Sequence, residues 1–130
     1  MPPRPTMAKS ELEVARIVWK LSSATVRQVL DALPKNRNLD FKTVQTYLRR
    51  LEAKGYLRTQ KEGRSKIYLP KVRPDRVVRE VVDDFMDRLF DGEAIPLLQL
   101  LINDRGLSDD EIRQLRKMLI HLEAEHDADY

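Results

Sequence analysis

A chain of 130 residues has the length of one domain or of two small ones sharing a core, and 42% hydrophobic with 35% charged residues makes it globular but heavily charged. It has no cysteine, which excludes disulfides, thiolate metal sites and cysteine nucleophiles. The net charge of +3 conceals a split: residues 1–73 carry 17 Lys and Arg against 6 Asp and Glu, residues 74–130 carry 7 against 15, and only the first half suits a polyanion.

In chain order, residues 1–6 are polar and proline-rich and read as a disordered leader without the apolar stretch of a signal peptide. Lys9 to Leu21 reads as a first helix, with Leu12, Ala15, Ile17, Val18, Trp19 and Leu21 on one broad side. Its start is open between a Ser10/Glu13 capping box and an earlier beginning near Ala8. Thr25 starts a short second helix through Val26, Val29, Leu30 and Leu33, which ends before Pro34. Lys35 to Asn38 is a polar turn. Asp40 then caps a third helix from Phe41 to Lys54, closed by Gly55. Tyr56–Thr59 and Lys66–Leu69 flank a polar segment containing Gly63, the pattern of a β-hairpin. Three helices and a hairpin in about 60 residues is the order of a winged helix-turn-helix.

Pro70 to Pro74 reads as a linker, with Pro74 opening a fourth helix. There Val77, Val81, Phe85 and Leu89 recur at every fourth position, beside Val78, Val82 and Met86. Gly92 ends that helix, and a leucine-rich helix follows from Glu93 to Asn103. Ser108 and Glu111 form a capping box for a last helix carrying Ile112, Leu115, Leu119 and Leu122, and the acidic tail from Glu123 is expected to fray. The fold class is therefore mainly α with a small β-hairpin: a winged helix-turn-helix DNA-binding domain over 7–72 and a three-helix dimerisation domain over 73–124. The dimer residues expected from this pattern are Val77, Val81, Phe85, Leu89, Leu97, Leu100, Leu101, Leu115 and Leu119. The competing arrangement folds these helices back on their own subunit.

On a helical wheel Val44, Tyr47, Leu48 and Leu51 share one arc of the third helix, and Lys42, Thr43, Gln45, Thr46, Arg49 and Arg50 share the other. The second arc contains donors and no acid, whereas ordinary solvated faces mix signs. Lys42 and Arg49 suit guanine acceptors or phosphates, Gln45 suits adenine, and the threonine methyls suit thymine. Lys61, Arg64 and Lys66 around the turn glycine, with Thr25 and Arg27 at the second helix, suit phosphates. The expected partners are a double-stranded DNA operator and a second copy of the chain.

At these residues the sequence resembles the BlaI/MecI family of penicillinase-type repressors. The carrying segments are Glu11 to Trp19, Thr25 to Val29, Lys42 to Leu51, Lys54-Gly55, Gly63-Arg64 before Tyr68, and Leu107 to Ile112. The resemblance implies a homodimeric repressor on a dyad-symmetric operator, with interlocking C-terminal helices. Lys42, Thr43, Thr46 and Arg50 match the family's recognition-helix residues. The cleavable Asn-Phe pair of the resistance repressors is replaced here by Leu100-Leu101, the cysteine cluster of the copper-responsive relatives is missing, and Ala8 stands at the usual Thr or Ser cap.

Other readings have less behind them. No phosphate loop, zinc-protease helix or nucleophile elbow supports an enzyme, and no cofactor or metal is expected. His121 and Glu125, with His126 and Asp127, resemble chance surface neighbours more than ligands. The main alternative is a winged helix used as a protein-interaction module. No apolar run approaches the roughly 20 residues that span a bilayer, so a cytoplasmic protein without membrane insertion is expected.

Overall fold

The computed structural model describes residues 4–128. Helix α1, Lys9–Leu21, starts from Ala8, whose N–H donates to Glu11 Oε1 at 2.7 Å. Alanine has no side-chain acceptor, so this is the only half of a capping box that forms. The Ser10/Glu13 box does not: Glu13 instead takes the Arg37 guanidinium at 2.7 Å. Helix α2, Val26–Ala32, has the full reciprocal box. Gln28 N–H donates to Thr25 Oγ1, and Thr25 N–H to Gln28 Oε1. It stops at Leu33, which is extended because Pro34 disfavours helix before it. The KNRN segment is one 3-10 turn over Lys35–Arg37, closed by left-handed Asn38 at φ 50°. Helix α3, Phe41–Ala53, begins with Thr43 N–H donating to Asp40 Oδ1 at 2.8 Å.

The hairpin is longer and tighter than its apolar residues suggest. Strands β1, Leu57–Glu62, and β2, Ser65–Pro70, pair antiparallel with Glu62 opposite Ser65, so only Gly63 and Arg64 form the turn. The polar residues Gln60 to Glu62 extend the ladder because its outer half faces solvent and needs no apolar side chains. Gly63, at φ +64°, takes the first turn position, where the hairpin twist requires positive φ. A single bridge adds Ala24, which exchanges backbone hydrogen bonds of 2.8 and 3.0 Å with Tyr68.

These elements close around Val14, Ala15, Val18, Val29, Val44, Leu48 and Leu51, all 0% exposed, with Leu57 and Tyr68 beneath the hairpin. Helix α4, Pro74–Phe90, contributes Val77 to the same core at 1% exposure. This corrects one expected dimer residue: Val77 is buried within its own chain and is not available to a partner. For the same reason the two compact units divide after Phe85, inside α4, rather than at the proline linker near residue 73.

The expected leader also changes. Residues 1–3 lie outside the described residues, but Arg4 to Thr6 are tied down by Glu80, Tyr56 and Lys54. In the second unit α5, Ala94–Arg105, and α6, Asp109–Ala128, contain no buried residue. The Ser108/Glu111 box forms in both directions at the start of α6. That helix continues past Glu123, where fraying was expected. Its last turns are built from the good helix formers Ala and Glu, and His121 Nε2 lies 3.0 Å from Glu125.

Candidate nucleic-acid interface

Burial divides α3 into two faces. Val44, Leu48 and Leu51 lie in the core and Tyr47 is half-buried against it, while Lys42, Thr46, Arg49 and Arg50 are exposed and Thr43 and Gln45 half-buried. Among the described residues, Lys42, Arg49 and Arg50 have no carboxylate within ion-pair distance. The Thr46 hydroxyl donates back to Lys42 O at 3.0 Å, so the methyl and the oxygen lone pairs remain for a ligand. Hydrogen bonding by Thr43, through side chain and backbone N–H, with the charge of Lys42, holds the Asp40 carboxyl below its ordinary value. The helix start is therefore a fixed, ionised cap beside cations.

The flanking residues divide into those joined to α3 and those apart from it. The Arg27 guanidinium lies 5.5 Å from the centroid of Phe41, which ties the exposed start of α2 to the first residue of α3. Phe41 is an apolar ring 41% exposed at the first residue of α3, a position outside the two arcs drawn from the helical wheel. The Thr25 hydroxyl is committed to its cap. On the hairpin, Lys66 is held by Glu52 of α3 at 3.7 Å and lies over the Tyr68 ring, so this expected phosphate contact is partly engaged within the chain. Glu52 also accepts from the Thr59 hydroxyl at 2.8 Å, which fastens the hairpin to α3. Lys61 and Arg64 remain exposed at the tip. Lys61 sits directly opposite Lys66, a like-charge pairing that destabilises a hairpin and that an anion relieves.

Behind this face is a buried carboxylate. Glu11 is 2% exposed and its Oε1 accepts from Lys54 Nζ at 2.6 Å as well as from Ala8 N–H. Burial pushes the carboxyl pKa up, but the Lys54 hydrogen bond, the Ala8 N–H and the charges of Lys54 and Arg50 outweigh it and hold the group below its usual value. Lys54 is the C-cap of α3, so Glu11 holds the far end of that helix. The sequence signal was available: Glu11 occupies the same helical stripe as Val14, Ala15 and Val18, an acid among apolar positions.

The model of the penicillinase repressor family matches residues 7–121. The chain belongs to the penicillinase repressor family. The penicillinase repressor of Bacillus licheniformis is 32% identical over 115 residues, covering 88% of this chain and 90% of that protein. The solution structure of the DNA-binding domain of the repressor BlaI is 39% identical with a TM-score of 0.50, over 57% of this chain and 90% of that one. Apo wild-type MarR from E. coli, at 16% identity and TM-score 0.51 over 89% of this chain and 77% of that one, shares the winged-helix fold.

Proposed function

We propose that this DNA-binding transcriptional repressor works as a homodimer on a dyad-symmetric operator, with α3 of each protomer in the major groove of one half-site. The observation that carries the reading is the outward face of α3, where Lys42, Arg49 and Arg50 are exposed and, among the described residues, have no carboxylate within ion-pair distance. Lys42, Thr43, Gln45 and Thr46 read bases from the N-terminal half of the helix. Arg49, Arg50, Arg27, Lys61 and Arg64 hold phosphates, and Thr25 and Lys66 support that set from the positions their internal bonds leave them.

The dimer is supported by exposed apolar side chains: Leu100, Leu101 and Leu119 of the second unit are 48%, 36% and 51% exposed, and on α4 Val81, Phe85 and Leu89 are 47%, 42% and 66% exposed. Leu97 and Leu115 are half-buried, and an apolar groove between α5 and α6 is lined by Leu98, Leu101, Leu107, Leu115 and Met118. An apolar surface of this extent marks an interface in a soluble chain. Leu100 and Leu101 lie in the middle of α5, so the position of the cleavable pair in resistance repressors is helical here. The role is binding rather than catalysis, and it is exercised in the cytoplasm, where the operator is. No helix among the described residues is long and apolar enough to cross a membrane.

Recovery of genome-wide bound DNA tests the proposal. It should return inverted repeats, and binding to them should weaken steeply as salt rises. A flat salt response, or recovery of no shared sequence, excludes the reading and leaves a winged helix that binds protein.

A further inference from the structure

The stretch expected to be a loose leader is instead hydrogen-bonded to three separate parts of the first unit. Arg4 Nη2 meets Glu80 Oε2 of α4 at 2.6 Å, with the two side chains only 15% and 24% exposed. The same guanidinium lies 5.6 Å from the Tyr56 ring centroid. The Tyr56 hydroxyl donates to Pro5 O at 2.7 Å, and Lys54 Nζ donates to Thr6 O at 2.8 Å while it pairs with Glu11. Three consecutive residues, Arg4 to Thr6, thus reach the C-terminal end of α3 and the root of α4, and Lys54 and Ala8 connect them through Glu11 to the start of α1. Packing beneath them is incomplete: a cavity of about 90 Å³ opens between Met7, Leu12, Tyr56, Val77 and Val81. Polar latches therefore hold this segment more than close packing does.

We propose that Arg4–Ala8 is a positioning strap that keeps the root of α4 and the end of α3 in one arrangement. Affinity for an operator of two half-sites then depends on Arg4, a residue outside the proposed DNA-contacting set. The proposal rests on the repressor reading above. Its logic is that of preorganisation: if the root of α4 wanders relative to the reading helix, both half-sites can be met only at an entropic cost that a single half-site does not impose.

The test is a double-mutant cycle on the full chain with Arg4→Ala, Glu80→Gln and the pair together, titrated against full-operator and half-site duplexes. Each single change should lower full-operator affinity about fivefold to tenfold and half-site affinity less than about twofold, and the double variant should lose less than the sum of the singles because both break the Arg4–Glu80 pair. Glu80 also pairs with Arg76 at 3.2 Å, so its own loss is the larger. Backbone amide exchange at Val77–Val81 should rise about tenfold in Arg4→Ala. Unchanged full-operator affinity, an equal loss on both duplexes, additive effects or unchanged exchange each overturn the strap. A wild-type chain that selects neither duplex overturns the repressor reading and the operator part of this proposal together, and amide exchange then decides the latch by itself.

Discussion

Leu48 of α3 and Leu119 of α6 are both leucines on the apolar face of an amphipathic helix, yet the first is 0% exposed and the second 51%. The difference extends to the regions around them. The first unit brings three helices, a hairpin and the root of α4 around one closed core, whereas α5 and α6 have no buried side chain. The first can be stable alone. The second carries apolar surface that becomes stabilising only when something covers it, and its stability then depends on protein concentration.

Breaking the second region should produce the largest effect on function. Leu119→Glu places a charge on the proposed interface. The chain should sediment as a monomer, and operator affinity should fall about 10²–10⁴-fold, because two linked half-sites become two separate ones. A dimer unaffected by this change contradicts the proposed surface. In the first region, Leu48→Ala should cost about 2–5 kcal/mol in a denaturant melt through the cavity it leaves, at any protein concentration. Leu119→Ala, by contrast, should destabilise only where the dimer forms.

Smaller changes sharpen the contrast within the first region. Lys42→Ala should weaken operator binding by about 1–3 kcal/mol and relax the preference at one base pair, as seen by titrating single-base operator variants. Lys61→Ala should weaken binding equally on all sequences and reduce the slope of log K against log salt by about one. The last effect appears in acid. The folded Glu11 carboxyl titrates below its ordinary 4.5, so its contribution to stability is complete above that value and is lost as pH falls through the lower folded one. Denaturation midpoints of Glu11→Gln should therefore change less between about pH 7 and about pH 3 than those of the wild type.

Local chemistry made much of this legible. The caps at Thr25, Asp40 and Ser108 and the stop at Pro34 act within four residues, and each appears where its residue type requires it. The two faces of α3 follow from helical periodicity alone. Less was legible where residues distant in sequence decide. Arg4 and Glu80 are 76 positions apart, and Glu11 and Lys54 are 43 apart, so no periodicity announces either pair. The polar half of the hairpin escaped notice because backbone pairing, not side-chain pattern, holds it.

The sequence by itself determined which segments are helices, where α2, α3 and α6 begin, the face of α3 that is basic, and the family to which the chain belongs. Each depends on neighbours within a turn or two, or on motif order. Only the tertiary structure decided which apolar stripe is closed and which is open. Val77 and Val81 occupy equivalent positions one turn apart on α4, but the core reaches only the first, leaving it 1% exposed and the second 47%. Periodicity orients a side chain, but burial depends on what stands opposite it, and that is set by contacts across the fold.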